Sequence, residues 1–284
     1  MIFVKKHILK MIIVFFLSLF VWALTENKSL GITNYTVDCS DNPNLSGFTV
    51  VHISDLHNEE FGEDQQKLLQ MVSECDPDMI AITGDLIDCR TPDVETAMKF
   101  VEGAVKIAPV FYVPGNHESW VLEEYEKLCG AMEEAGVFLM ADRMESIVYN
   151  GEEILCMGVK DPDFYHSMGT LGDEKVMEEN LRQFVYEKED YTLLLSHRPE
   201  LFSVYCENAV DLTLAGHAHG GQFRLPLLGG LGAPDQGILP KYDGGYYVDG
   251  SAGMIVSRGI GNSIFPLRFN NPPEIVVISF VCYD

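Results

Sequence analysis

Five short segments of the sequence carry side chains that bind metal ions, and each follows an apolar run. The segments are Asp55-Leu56-His57, Gly84-Asp85, Gly115-Asn116-His117-Glu118, His197 and Gly216-His217-Ala218-His219. Imidazole nitrogens with carboxylate and amide oxygens, and without thiolate, suit divalent Mn, Fe, Zn or Co. Two such ions about 3.5–4 Å apart need a ligand in common and can hold a bridging hydroxide. Asp85 is the candidate for the shared ligand, and attack by hydroxide is the chemistry that this set suggests.

The position of these segments after predicted strands would bring them together. The strands that precede them are predicted at Phe48–Ser54, Met79–Thr83, Val110–Val113, Tyr191–Leu195 and Leu212–Ala215. Ligands of α/β sheets bind beyond the carboxyl ends of the strands, so we expect the five segments to converge on one edge. Taken singly, a buried histidine or a Gly-Asp turn has a structural explanation. Five of them in this order at strand ends indicate one metal site.

The elements between and after these strands indicate the fold class. Apolar residues recur at helical spacing over 94–105 and 121–132, and a third helix is predicted around Val176–Tyr186. The later chain is richer in hairpins, with strands predicted at Ser146–Tyr149, Ile154–Gly158, Tyr246–Asp249, Gly253–Ser257 and Ile275–Cys282. This order predicts an α/β domain over 48–284 in which two packed mixed β-sheets are flanked by helices. Residues 29–47 would form a linker or a leading strand.

The order of the five segments resembles that of the calcineurin-like metallophosphoesterase superfamily, whose pattern is D-x-H, G-D, G-N-H-E/D, a lone H and G-H-x-H. The resemblance covers about residues 48–284 and implies an αββα sandwich. The stretches Gly216–Gln222, Ser257–Gly261 and Pro273–Ile275 look like the branch of membrane-associated bacterial phosphoesterases of the YkuE and YaeI type. That branch usually has threonine where this chain has Ala218, a position that faces away from the ligands.

The resemblance implies a role for each residue of the set. One metal ion would be held by Asp55, His57 and His219, the other by Asn116, His197 and His217, and both by the bridging Asp85. His117, which is not a ligand, would be the catalytic residue that stabilises the phosphoryl charge or protonates the leaving group.

Three further residues each have two interpretations. Glu118 could orient His117, or it could be an acidic residue in the first turn of the next helix. Asp88 could support a metal ligand from behind, or it could be an ordinary exposed carboxylate. Arg258 is the candidate for binding the substrate phosphate, with a surface ion pair as the alternative.

The activity implied by the resemblance is that of a hydrolase acting on phosphoric ester bonds. It would be a dinuclear phosphomonoesterase or phosphodiesterase with two divalent ions (Mn, Fe, Zn or Co) and a metal-bridging hydroxide.

The glycine-rich loop, residues 220–250, has nine glycines and several leucines. With the N-terminus it favours a lipid-linked or cell-envelope substrate, although these leucines could equally pack on the domain. A non-catalytic metal-binding scaffold and a membrane-tethered interaction domain are the alternatives; the intact His117 and the seven ligand positions disfavour the scaffold.

Residues 1–28 have the composition of a signal or anchor segment. Lys5, Lys6 and Lys10 precede the apolar run Met11–Leu24, and no good cleavage site follows. An uncleaved membrane anchor is therefore favoured over a cleaved signal, with a buried core helix as the third possibility. The basic residues before the run predict a cytoplasmic N-terminus and a catalytic domain outside the cell membrane, or a secreted protein if the segment is cleaved.

The composition limits the partners of this chain. Its 19 Lys+Arg against 43 Asp+Glu give a formal net charge of -24, which repels phosphate backbones, so no nucleic-acid partner is expected. A hydrophobic content of 47% excludes a disordered chain.

The seven cysteines are odd in number and contain no C-x-x-C pair, which favours scattered thiols over a disulfide framework. Either burial or a reducing environment would keep them reduced.

Overall fold

The structure is a computed structural model that describes residues 2–166, 171–184, 191–262 and 265–283. The α-helices of these residues are α1 (Ile2–Glu26), α2 (Gln66–Glu74), α3 (Val94–Ala104), α4 (Asn116–Ser119), α5 (Leu122–Ala135), α6 (Asp173–Leu181) and α7 (Phe202–Glu207). The longer strands are β1 (Gly31–Asp38), β2 (Thr49–Ile53), β3 (Met79–Thr83), β4 (Val110–Val113), β6 (Arg143–Tyr149), β7 (Glu152–Gly158), β8 (Tyr191–Leu195), β9 (Leu212–Ala215), β14 (Gly245–Asp249), β15 (Ala252–Val256) and β16 (Glu274–Val281). The two-residue strands are β5 (Phe138–Leu139), β10 (Arg224–Leu225), β11 (Gly229–Gly230), β12 (Gly232–Ala233) and β13 (Gly237–Ile238).

Two six-stranded sheets form the centre of the fold. The first has the order β1-β16-β2-β3-β4-β5, and its pairs are parallel except for β16 with β2. The second has the order β14-β15-β9-β8-β7-β6, with parallel pairs inside and an antiparallel pair at each end. Both sheets are therefore mixed, as predicted.

The central strands are unbroken apolar runs because both faces of each sheet are covered. Along β3, Met79 and Ala81 face the core between the sheets, whereas Ile80 and Ile82 face the helices α2, α3 and α5. In the second sheet, Leu194 points outward to a cluster that includes residues of α6 and α7. These layers confirm the prediction of two packed mixed sheets flanked by helices.

The observed bounds differ from the predicted ones mainly outside the central strands. Residues 31–38 form β1, which pairs in parallel with β16. The helix predicted around Val176–Tyr186 begins earlier and ends at Leu181, and the part of it beyond 184 lies outside the described residues. The glycine-rich loop contains the short hairpins β10–β11 and β12–β13.

The N-terminal segment forms α1, in which described side chains such as Met11 and Val14 are exposed. Near its end, the Trp22 ring contacts the Phe269 ring with 4.7 Å between the centroids. Among the helices of the described residues, none is both long enough and apolar enough to cross a membrane. The predicted N-terminal hydrophobic anchor is therefore not confirmed; the apolar run Met11–Leu24, whose only polar residue is Ser18, is shorter than the about 20 residues that a spanning helix needs.

Candidate metal centre

The five segments meet at one edge of the sandwich, between the two sheets. The first sheet supplies Asp55, His57, Asp85 and Asn116 after β2, β3 and β4, and the second supplies His197, His217 and His219 after β8 and β9. All seven side chains belong to buried residues that are at most 6% exposed. Burial of so many polar groups at one place is unfavourable unless they share partners or bind an ion.

The first group of donor atoms comes from Asp55, His57, Asp85 and His219, and these atoms lie within 4.8 Å of one another. The Nε2 atom of His57 lies 3.2 Å from Nε2 of His219 and 3.5 Å from Oδ2 of Asp85. The Nε2 atom of His219 lies 3.4 Å from Oδ1 of Asp55. Two imidazole nitrogens that face two carboxylates form a group that a divalent cation fits.

The second group of donor atoms comes from Asp85, His197, His217 and Asn116. The Nε2 atom of His197 lies 3.1 Å from Oδ1 of Asn116, 3.2 Å from Nδ1 of His217 and 3.3 Å from Oδ2 of Asp85. The Asp85 carboxylate thus belongs to both groups. The donor set fits two divalent cations with one shared ligand.

The charges of the centre are arranged around Asp85. Burial opposes ionisation of this carboxyl, but the neighbouring His197 lowers the pKa of Asp85 well below its usual range. Burial also lowers the pKa of His197, but the charge and the hydrogen bond of Asp85 outweigh it and raise the pKa to about 10. Burial lowers the pKa of His57 to about 3 and that of His217 to about 4. Without metal, His197 is therefore the protonated histidine beside Asp85 at neutral pH.

Metal binding should release about one proton from this centre at pH 7, because His197 must lose its Nε2 proton to act as a ligand. Calorimetric titration of the metal-free protein with Mn²⁺, in buffers that differ in ionisation enthalpy, measures that release. A binding enthalpy that is independent of the buffer would contradict the protonated state of His197.

The backbone of the centre has an uncommon conformation. Positive φ angles between 45° and 66° occur at Asp55, His57, Asp85, His217 and His219. Such angles cost a non-glycine residue on the order of 1–3 kcal/mol, so the surrounding fold must impose them. The glycines of the segments allow the loops to approach closely: a Cβ atom on Gly216 would lie 1.8 Å from Oγ of Ser54, and one on Gly115 would lie 2.3 Å from Oδ1 of Asp85.

Glu118 anchors two of these loops. Its buried carboxylate accepts hydrogen bonds from the backbone N–H groups of Asp85 at 2.9 Å, Ile87 at 3.2 Å and Gly115 at 2.8 Å. Glu118 lies in the first turn of α4, as one of its two interpretations predicted, and its contact with Gly115 caps that helix; the contacts with Asp85 and Ile87 go beyond both interpretations. No direct signal for them exists in the sequence, since the acceptor and two of the donors are about 30 residues apart.

Replacing Glu118 by alanine should lower the free energy of unfolding by about 3 kcal/mol or more. Three buried N–H groups would lose their acceptor, and each unsatisfied group costs about 1–3 kcal/mol. Glu118→Gln keeps an acceptor oxygen and should lose less. Chemical denaturation of the metal-free proteins measures both changes, and an alanine variant as stable as the wild type would show that these hydrogen bonds do not stabilise the loops.

His117 lies beside the donor groups, with Nε2 at 4.0 Å from Oδ2 of Asp85. The backbone N–H of Cys89 donates to Nδ1 of His117 at 3.1 Å. Because an N–H group can only donate, the neutral imidazole carries its proton on Nε2.

Asp88 lies near the ring of His57, with Oδ2 at 4.0 Å from Nδ1 of His57. Its carboxylate, however, accepts a hydrogen bond from Nε of Arg90 at 2.9 Å. The role predicted for Asp88 stays a prediction.

A cavity of about 370 Å³ opens beside the centre. Besides His117 and four of the donors, its lining includes residues that the sequence does not single out, namely Trp120, Asp163, His166, Asp173, Arg198 and Asp235. Arg258 is not among the lining residues, because its guanidinium pairs with Glu274. The arginine of the cavity is Arg198, and the available signal for it is its position directly after His197.

Comparison with known proteins agrees with this geometry. The family model described as calcineurin-like phosphoesterase matches residues 48–221. The chain is 29% identical to the uncharacterised metallophosphoesterase YkuE of Bacillus subtilis, over 89% of this chain and 86% of YkuE. It is 27% identical to the phosphodiesterase YaeI of Escherichia coli, over 84% of each chain. The crystal structure of TT1561 of Thermus thermophilus has a similar fold, with a TM-score of 0.53 and 14% identity over 76% of this chain and 91% of TT1561. The chain therefore belongs to the calcineurin-like phosphoesterase family, in the branch of YkuE and YaeI, and is a hydrolase acting on phosphoric ester bonds.

Proposed function

We propose that this chain is a dinuclear metal-dependent phosphoesterase. The observation that carries the proposal is the position of Asp85, whose Oδ2 lies 3.5 Å from Nε2 of His57 in one donor group and 3.3 Å from Nε2 of His197 in the other. Asp55, His57 and His219 would hold one divalent cation, Asn116, His197 and His217 the other, and Asp85 both; the cations would supply Lewis acidity and lower the pKa of water near the ester.

The residues of the cavity would orient the ester and protonate its leaving group. His117 carries its proton on Nε2, the nitrogen nearer to Asp85, and can donate it to the departing oxygen. The ring of Trp120 is half exposed and its centroid lies 5.1 Å from that of His117. A leaving group that receives its proton from His117 would therefore lie against Trp120.

The charges on the cavity wall favour a phosphodiester over a phosphomonoester. Asp163, Asp173 and Asp235 contribute carboxylates to the wall, and Arg198 is already paired with Asp161 and Asp235. A monoester dianion would be repelled more strongly than a diester monoanion. The name of the relative YaeI, a phosphodiesterase, points the same way.

Hydrolysis of bis-p-nitrophenyl phosphate and of p-nitrophenyl phosphate tests this proposal. Protein freed of metal by a chelator is supplied with Mn, Fe, Zn or Co, and we expect faster turnover of the diester. An absence of turnover with all four metals would contradict the enzyme and favour a metal-binding scaffold or a membrane-tethered interaction domain. Faster turnover of the monoester would contradict the diester preference alone.

A lipid-linked or cell-envelope substrate is the finer part of the proposal. Leu227, Leu228 and Ile238 of the glycine-rich loop are exposed. In the same loop, Phe223 packs on Phe269 with 6.3 Å between ring centroids, and α1 contacts Phe269 on another side. These contacts support an apolar surface that continues from the loop to α1. The predicted location, a catalytic domain on the outer side of the cell membrane or a secreted protein, belongs to this proposal as well.

A diester with long acyl chains, presented in detergent micelles, should be hydrolysed with a higher kcat/KM than its deacylated counterpart. Leu227→Asn with Leu228→Asn should remove the difference and leave hydrolysis of bis-p-nitrophenyl phosphate unchanged. Equal kcat/KM values for the acylated and deacylated esters would contradict the lipid-linked substrate.

A further inference from the structure

His217 has a carboxylate partner on the side of its ring that faces away from the donor groups. Its Nδ1 lies 3.2 Å from Nε2 of His197, inside the second donor group, while its Nε2 lies 2.9 Å from Oδ2 of Asp235. Nη1 of Arg198 also lies 3.3 Å from this Nε2, but the carboxylate of Asp235 is closer. Because a carboxylate can only accept a hydrogen bond, it holds the ring proton on Nε2 and leaves the lone pair of Nδ1 directed at the metal position.

Asp235 belongs to the glycine-rich loop and not to either sheet. It lies in the turn between β12 and β13 and has a positive φ of 55°. Its carboxylate also accepts from Nη1 of Arg198. Arg198 is buried and fixed from the other side, since its Nη2 donates to Oδ1 of Asp161 at 2.9 Å. The loop is thus tied to the centre by one carboxylate that binds a ligand histidine and a buried arginine.

The two donor groups differ in how their histidines are held. In the second group, Nδ1 of His197 donates to the carbonyl oxygen of Thr83 at 2.7 Å, so both outer nitrogens of that group have partners. In the first group, the outer Nδ1 atoms of His57 and His219 have no hydrogen-bond partner among the described residues. The orientation of the second group therefore depends on one contact from the sheet and one from the loop.

We propose that Asp235 is a positioning residue that orients His217 for metal binding, so that the glycine-rich loop sets the affinity of the second metal position. This inference rests on the dinuclear centre of the proposed function. Residues that orient metal-binding histidines typically contribute about 10–100-fold to metal affinity. The effect is confined to the second position, because Asp235 contacts none of the donors that belong only to the first group.

Calorimetric titration of the metal-free full chain with Mn²⁺ tests the proposal. The wild type is expected to bind two ions. Asp235→Ala is expected to bind one of them about 10–100-fold more weakly and the other unchanged. Asp235→Asn keeps an oxygen that accepts from Nε2 of His217, so it should recover most of the lost affinity. Recovery by asparagine would show that an acceptor oxygen for Nε2 of His217, and not the charge of the carboxylate, supports the affinity.

Asp243→Ala is the matched control within the same loop. The Asp243 carboxylate lies 3.2 Å from Nη1 of Arg224 and accepts from the backbone of Gly230, but it does not contact a ligand. We expect this variant to bind both ions like the wild type. An equal loss in Asp243→Ala and Asp235→Ala would overturn the proposal in favour of general loop integrity. An Asp235→Asn variant as weak as Asp235→Ala would also overturn it, because an acceptor oxygen for His217 would then not restore the affinity.

The same titration separates this inference from the proposed function. Two ions bound with equal affinity by the wild type and by Asp235→Ala would overturn the role of Asp235 and leave the dinuclear phosphoesterase standing. A wild type that binds no ion would overturn both.

A second inference concerns two cysteines at the other side of the first sheet. Cys39 and Cys282 directly follow β1 and β16, whose parallel register ends with Asp38 opposite Val281. The two Sγ atoms lie 3.1 Å apart. Neighbouring positions on paired strands place the Cα atoms within the range that a disulfide spans.

We infer that Cys39 and Cys282 form a disulfide when the protein meets an organic disulfide as oxidant. The more exposed Cys282 loses its proton and attacks the oxidant, which forms a mixed disulfide and releases one thiol. Cys39 then loses its proton and attacks Sγ of Cys282, which releases the second thiol and leaves the protein oxidised by two electrons. The bond would fasten β1, the strand that follows α1, to β16.

Equilibration with oxidised glutathione followed by peptide mapping without reductant tests this inference. We expect a cross-linked pair of peptides that contain Cys39 and Cys282, and two fewer titratable thiols in the unfolded protein. Cys39→Ser should instead carry glutathione on Cys282. A wild-type protein in which Cys282 carries glutathione while Cys39 stays a free thiol, or in which both remain free, would overturn the inference.

Discussion

Asp85→Asn should lose metal from both positions and lower turnover of a phosphodiester by about three orders of magnitude or more. Oδ2 of Asp85 faces Nε2 of His57 in one donor group and Nε2 of His197 in the other. An amide in its place carries no charge, so both groups lose the carboxylate that they share. The backbone N–H of His117 also donates to Oδ1 of Asp85 at 2.9 Å, and asparagine can preserve that contact.

Asp55→Asn is the comparison for this variant, because Asp55 belongs to the first donor group alone. We expect it to lose one ion and to keep the other. Metal content after gel filtration and the rate with bis-p-nitrophenyl phosphate measure both variants. Near-wild-type turnover of Asp85→Asn would show that the ligand assignment is wrong, and equal metal loss in both variants would show that Asp85 is not shared.

His117→Ala should keep both ions and lose about 10²–10⁴-fold in kcat. The imidazole is adjacent to the donor groups without being needed to complete either of the two that share Asp85. Its Nδ1 accepts from the N–H of Cys89, which leaves the Nε2 proton for the departing oxygen. Removal of the ring therefore removes a proton donor and leaves the metal ligands in place.

Measuring kcat of the wild type and of His117→Ala with aryl diesters whose leaving groups differ in acidity tests whether His117 acts as a proton donor. An acidic phenol departs without protonation, so the loss in His117→Ala should shrink as the leaving group becomes more acidic. A loss that is the same for all leaving groups would contradict proton donation. Loss of metal from the variant would identify His117 as a ligand.

The central strands could be predicted from the sequence because their physical cause is local. Met79–Thr83, Val110–Val113, Tyr191–Leu195 and Leu212–Ala215 are largely apolar, since each is buried on both faces, and their observed bounds equal the predicted ones. The polar residues that follow such runs necessarily collect at one edge when the strands are parallel. The seven donors could therefore be placed together without a structure, whereas their metal-binding roles still await measurement.

The parts that could not be predicted depend on contacts between distant segments. Arg198 and Asp235 meet only because the glycine-rich loop folds back toward the donor groups, and nothing in the composition of that loop marks one aspartate among several. Arg258 stands out in the sequence as an arginine in a recognisable stretch, but Glu274 holds it away from the cavity. The sequence places Glu118 in its own helix, although its three donors lie in the neighbouring turns.

The place of β16 in the first sheet has a consequence for how the protein is made. β16 lies between β1 and β2, although it leaves the ribosome long after both of them. Asp55 and His57 follow β2 directly, so the strand that positions their loop lacks one of its two neighbours until β16 has been translated. Because such distant pairing is slow and needs the later segment to be present, a nascent chain that stops before 274 has an incomplete sheet beside its metal ligands. We therefore expect the donor groups to reach their final arrangement only after β16 has been translated.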